Sequence, residues 1–218
     1  MDAADNCFPS ADGRVTVLPL LPGGLECSVA STGHAVVATA MTEQAVYAQG
    51  PDGFGESLSA DFLRHLAGPK GWIGDTDATL TARGTGGRPR LAELADADAH
   101  PRVRHARWLR TSVQVYGDER GPITLADGLA GRWELSIELD RAQDTGRGHG
   151  RSLLADVLSL LPEGEPVFAA VSPGNARSLR AFLACGFTPI GSEVLLRPSG
   201  GNRPAAGISN AATRINRR

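Results

Sequence analysis

Residues 144–161 read DTGRGHGRSLLADVLSLL. Gly146, Gly148 and Gly150 alternate with Arg147 and His149, and Arg151 and Ser152 follow. Leu153, Leu154, Val157, Leu158 and Leu161 then recur at helical spacing, so the glycines open an amphipathic helix. Just upstream, GRWELSIELD (131–140) places Trp133, Leu135, Ile137 and Leu139 on one face and Glu134, Ser136 and Glu138 on the other. That is the period of a strand. A strand, a bare turn and a helix start therefore follow one another. A helix start presents unpaired N–H groups and a partial positive charge. Glycines there remove the Cβ atoms that would hold an anion away. The plainer alternative is punctuation, because 27 of 218 residues are glycine and Gly84-Thr85-Gly86 is a G-x-G pair with no chemistry attached. Context favours the anion: the helix start lies at a strand's carboxyl end, the edge where ligands of α/β sheets bind.

Two familiar phosphate loops do not fit. A Walker loop needs G-x-x-x-x-G-K-S/T. Here Gly150-Arg151-Ser152 carries arginine for lysine, and the first glycine falls on Thr145. A dinucleotide turn needs G-x-G-x-x-G, and its last glycine falls on Arg151 or Leu153.

Outward from the turn, PVFAAVS (166–172) reads as a covered strand, NARSLRAFLACGF (175–187) as a helix capped near Asn175, and PIGSEVLLRP (189–198) as a final strand. Before it come strands at 110–118 and, more weakly, 123–128. In the first half, RVTVLPL (14–20), GHAVVATAM (33–41) and DATLTARG (77–84) read as strands, and 57–68 as a helix capped by Ser59. LAELADADAH (91–100) reads as a short helix stopped by Pro101. The alternation argues for α/β layering. Residues 1–12 are expected to be a flexible leader, 13–100 an N-terminal α/β region, 101–198 the ligand-binding region and 199–218 a disordered tail.

Composition narrows the function. A net charge of −2 implies no general attraction to nucleic acid. Lys70 is the single lysine among 22 basic residues; an arginine bias suits phosphate contact but equally reflects base composition. Cys7, Cys27 and Cys185 are widely spaced and form no metal-ligand pattern, so neither a metal site nor disulfides are expected. The expected location is the cytoplasm. No basic stretch followed by an apolar run opens the chain, and VTVLPLLPGGL is broken by prolines, so no signal peptide and no membrane span are expected.

The glycine turn resembles that of the GNAT superfamily of N-acetyltransferases, written Q/R-x-x-G-x-G/A. Here it is Thr145-Gly146-Arg147-Gly148-His149-Gly150, with Thr145 in place of Gln or Arg. A second block resembles the family's N-x-x-A/S-x-x-x-Y-x-x-x-G-F, carried by Asn175, Ser178, Phe182, Gly186 and Phe187. The resemblance covers roughly 105–198. It implies a GNAT-type mixed central sheet with helices on both faces and an extended N-terminal half, for which a degenerate second copy of the fold is one form.

The same resemblance implies an acyl-CoA-dependent enzyme that moves an acetyl group from acetyl-CoA to a primary amine by direct attack. The diphosphate would rest on the N–H groups of Gly146, Arg147, Gly148, Gly150 and Arg151, with His149 and Ser152 in the same turn. The pantetheine arm would run along strand 133–139, where a late backbone N–H such as that of Leu139 polarises the thioester carbonyl. Asn175, Ser178 and Phe182 would face the cleft. Glu134 and Glu138 are the candidate general bases, although an ordinary glutamate, at ~4.3, is a weak one unless burial raises it. Their plainer reading is the solvated face of an edge strand. The family's tyrosine, which protonates the leaving thiolate, is Phe182 here and does not donate. The alternative is a non-catalytic acyl-CoA sensor or an interaction module. The acceptor, a small-molecule or peptide amine, is left open, as is a monomer or a homodimer.

Overall fold

The computed structural model describes residues 2–88, 90–139 and 148–199. The chain is mixed α/β and forms two compact units. Unit 1 comprises Met1–Thr79 and the strand from Pro189 onward; unit 2 runs from Leu80 to Thr188. The sequence places its division near residue 100 instead.

In unit 1, β1 (Val15–Leu18) pairs in parallel with β3 (His34–Ala38), which pairs antiparallel with β2 (Glu26–Ser31). The last strand, β11 (Thr188–Arg197), closes on β2 and on the short β4 (Trp72–Ile73). The β2–β3 turn is Thr32-Gly33, both with positive φ, the geometry that suits a tight hairpin. Helix α1 (Glu43–Tyr47) is capped by Thr42. Helix α2 (Ala60–Ala67) is capped by Ser59, as expected, and ends at Gly68 with φ 71°. Val15, Val37, Val46, Phe62, Leu66, Val194 and Leu196 are buried in one core cluster. β2 was not evident in the sequence because Glu26 and Ser28 interrupt its apolar pattern. Both are buried: Thr39 Oγ1 and the Ala40 amide donate to Glu26, and Ser28 Oγ donates to the Ser57 carbonyl. The leader expected at 1–12 holds a 3₁₀ turn at Asp2–Asp5, and Asp12 bonds the His34 ring and the Arg14 amide.

Unit 2 contains the later part of β5 (Asp77–Arg83), β6 (Ala92–Glu93), β7 (Thr111–Asp118), β8 (Gly121–Asp127), β9 (Trp133–Ile137) and β10 (Pro166–Val171). Strands β6 to β9 form an antiparallel meander, and β10 joins β9 in parallel. The helix expected at 91–100 is absent. Helix α3 (Pro101–Leu109) instead begins at the proline that the sequence suggested would stop it. Proline suits a first helical position, where its missing N–H has no partner to lose. His100 caps it, accepting from the Arg102 amide at 3.2 Å. Strand β8, weak in sequence, is buried over its first six residues. Helix α4 (His149–Leu160) buries Leu153, Leu154, Val157 and Leu158, the predicted stripe. Helix α5 (Ala176–Ala184) starts at Asn175, as expected. The tail from residue 200 lies outside the described residues.

Candidate functional site

β10 runs parallel to β9, so the link between them must return along the sheet, and α4 makes that return. Helix α4 therefore starts near the carboxyl end of β9. Its N-cap is Gly148, left-handed at φ 87°, and no side chain caps the helix. The Ser152 amide donates to the Gly148 carbonyl at 3.0 Å. The amides of His149, Gly150 and Arg151 come before the first intrahelical bond and point out of the helix start. A Cβ built on Gly150 meets nothing within 4 Å, so a side chain would find room there, on a turn that is half-buried from Gly148 to Gly150. Gly146 and Arg147, also expected to hold the cofactor, lie outside the described residues.

The β9–β10 ladder is registered at Phe168 and Glu134. Toward the carboxyl ends no further registered pair occurs among the described residues. Beyond that pair, β9 continues through Leu135, Ser136 and Ile137 toward the start of α4. Leu139 follows at the end of β9, half-buried.

Glu134 does not stand on a solvated face. β9 lies between β8 and β10, and Glu134 is 2% exposed. Arg110 grips one carboxylate oxygen through Nε at 2.8 Å and also through Nη2. Arg132 Nη2 reaches the other oxygen at 3.4 Å. Burial alone pushes the carboxyl up, but the two guanidinium charges and their hydrogen bonds outweigh it and hold the group below the ordinary carboxylate range. Gly128 is required beside it, because a Cβ there would strike the Glu134 carboxylate. The expected role of Glu134 as general base is therefore corrected: it is a charge anchor for two arginines. Glu138 is half-buried at the end of the strand and pairs with Arg102 Nε of α3 at 3.0 Å. It is the candidate base that the geometry leaves.

In the second block, Asn175 Oδ1 accepts from the Ser178 amide at 3.1 Å. Both residues thus serve the cap of α5. Phe182 is 4% exposed and packs edge-on against Phe187, with ring centroids 4.9 Å apart. The expectation that it faces a cofactor is corrected too: its ring fills the core. Arg110, Arg102 and Arg132 were not singled out in the sequence. For Arg102 and Arg110, nothing in the local pattern of an arginine-rich helix marks which arginine meets a carboxylate twenty or more residues away, whereas Arg132 stands two residues before Glu134.

No protein-family model matches the chain, and no curated protein matches it. It is similar to two solved structures of the GNAT family. One is from Novosphingobium aromaticivorans, with 16% identity, a TM-score of 0.41, and coverage of 60% of this chain and 69% of that one. The other is an acetyltransferase from Colwellia psychrerythraea, with 10% identity and a TM-score of 0.38. There the match covers 59% of this chain and spans 57% of its counterpart. Similarity at this level names a resemblance and leaves the function to the chain's own residues. Among the described residues no group of His, Cys, Asp or Glu has the arrangement of a metal site, and no helix is long and apolar enough to cross a membrane.

Proposed function

We propose that this chain is an acyl-CoA-dependent N-acetyltransferase that moves an acetyl group from acetyl-CoA to a primary amine by direct attack. One observation carries the reading. The open first turn of α4, led by left-handed Gly148 and bare at Gly150, lies at the carboxyl end of β9, where the β9–β10 ladder has ended. An anion-binding turn at the carboxyl end of parallel strands suits a ligand with a diphosphate at one end.

In this reading the diphosphate rests on the amides of His149, Gly150 and Arg151, with the Arg151 side chain exposed beside it. The pantetheine arm runs along the carboxyl end of β9, and the Leu139 amide polarises the thioester carbonyl. A neutral amine attacks that carbonyl, the C–S bond breaks, and coenzyme A leaves as the thiolate. Glu138, steadied by Arg102, takes the first proton, the one an incoming ammonium must lose before it attacks. Phe182 is in the core, so the thiolate takes its proton from water or from the nitrogen of the collapsing intermediate, which loses this second proton as it becomes the amide. The acceptor is a small-molecule or peptide amine, the protein works in the cytoplasm, and a monomer suffices for the chemistry.

Calorimetry with acetyl-CoA tests the reading; folded protein that takes up no acetyl-CoA would end it. Gly150→Trp sharpens the test. Its Cβ enters open space, and replacing a helical glycine favours the helix by a few tenths of a kcal/mol. The variant is expected to melt no lower than wild type and to bind acetyl-CoA at least about tenfold more weakly. Unchanged affinity would remove the cofactor from this turn. Turnover across a panel of amines then separates an enzyme from a binding module.

A further inference from the structure

Helix α4 starts without the usual means of holding its first turn. Gly148 offers no capping side chain, and Gly150 adds backbone freedom one residue into the helix. Such a turn frays readily, and frayed amides do not converge on one ligand.

Arg120, in the turn between β7 and β8, meets this need. Its Nε donates to both Asp118 oxygens at 3.0 Å. Its Nη2 donates to Asp156 Oδ2 at 2.6 Å, in the second turn of α4. Its Nη1 donates to Ser152 Oγ at 2.9 Å, and Ser152 Oγ donates in turn to the His149 carbonyl at 3.0 Å. One planar fork thus ties the β7–β8 turn to the first two turns of the helix. Arg120 and Asp156 are each 14% exposed, so these bonds are largely shielded from water. Hydrogen bonds to Asp118 and Asp156 hold the guanidinium charged, well above even its ordinary range. The apolar stripe of α4 does not account for this arrangement, because Ser152 and Asp156 lie four residues apart on a row of their own.

We propose that Arg120 is a positioning residue for the acyl-CoA site: it fixes the first turn of α4 so that the amides of His149, Gly150 and Arg151 converge on one diphosphate. This rests on the acyl-CoA reading above. Charge works in the same direction. Without Arg120, Asp118 and Asp156 lose the cation that joins them near the helix start, and the exposed Arg90, 4.0 Å from Asp156, is too distant to replace its fork.

The test compares wild type with Arg120→Ala, Arg120→Lys and Ser152→Ala. The readouts are calorimetry with coenzyme A, steady-state kinetics and amide hydrogen exchange without ligand. Arg120→Ala is expected to raise the Kd for coenzyme A and the KM for acetyl-CoA about tenfold, with kcat at saturation within about twofold. Arg120→Lys keeps the charge but not the fork, and recovers part of the loss. Ser152→Ala cuts the link to His149, leaves the Arg120–Asp118 pair intact, and gives a smaller shift in the same direction. The Ser152 and Leu153 amides should exchange faster in Arg120→Ala, while those of Leu158 and Ser159 should not. A purely structural arginine would lower Tm and leave Kd and KM unchanged where the protein is folded; that result would overturn the proposal. If wild type binds no coenzyme A, the acyl-CoA reading falls by itself, and the exchange rates decide the brace. Unchanged exchange at Ser152 removes it, and faster exchange keeps it.

Discussion

Both units contain a parallel strand pair, but the two pairs are linked differently. In unit 1, the chain from β1 to β3 passes through β2 and a two-residue hairpin. In unit 2, the chain from β9 to β10 passes through α4. Only the second route places a helix start at the carboxyl end of a strand. One glycine from each unit shows two different uses of bare backbone. Gly33, in the unit 1 hairpin, lies under the Phe54 ring, and a Cβ there would come within 2.8 Å of it. Gly150 has nothing over it. At Gly33 the missing Cβ makes room for a neighbouring ring, whereas at Gly150 it leaves the helix start unobstructed.

Five variants at four positions press on this contrast. Glu134→Ala should have the largest effect on stability. It leaves Arg110 and Arg132 without their shared carboxylate, and about 3–5 kcal/mol should be lost in urea unfolding. The pH dependence follows from the same group. Its folded value lies below the ordinary carboxylate range, so its contribution is full above the unfolded value of ~4.3 and is lost as pH falls through the lower folded value. Glu134→Gln should therefore flatten the acid side of a Tm-against-pH curve, and an acid limb as steep as that of wild type would show that the anchor is not ionised.

Gly33→Ala should come next. The residue has φ 81°, and its Cβ crowds Phe54, so about 1–3 kcal/mol should be lost in thermal melts while coenzyme A affinity stays as in wild type. A weakened affinity would break the distinction between the two kinds of glycine. Phe182→Tyr has a smaller expected cost, about 1–2 kcal/mol, because it buries a hydroxyl beside Phe187. It should not raise kcat; a gain would put that ring in the cleft after all. The mildest is Asn175→Ala, about 1 kcal/mol from the lost cap, with no change in coenzyme A binding.

The sequence was most legible where local chemistry decides. The stripe of α4, the Ser59 and Asn175 caps and the succession of β7 to β10 all follow from spacing and side-chain type. It was least legible where a distant partner decides. Glu134 alternates with apolar neighbours and so reads as solvent-facing, yet Arg110, twenty-four residues upstream, brings its carboxylate inside. Glu26 hid β2 in the same way, because Thr39 and the Ala40 amide satisfy it in the interior. Pro101 misled for a different reason: it opens a helix as readily as it closes one, and only the His100 cap tells which. The glycine turn suggested a ligand from sequence. What sequence did not give was the brace, since Arg120 meets Ser152 and Asp156 only through the fold.

The division of the chain also has a consequence for synthesis. Unit 1 draws on two separate stretches, and Val194 and Leu196 of β11, both fully buried, complete its core. A nascent chain emerging amino end first carries all of unit 2 before that closing strand appears. Unit 2 can thus settle while the earlier part of unit 1 still exposes the edge of β2. During that interval, newly made protein is most open to strand exchange with a neighbour and most dependent on chaperones.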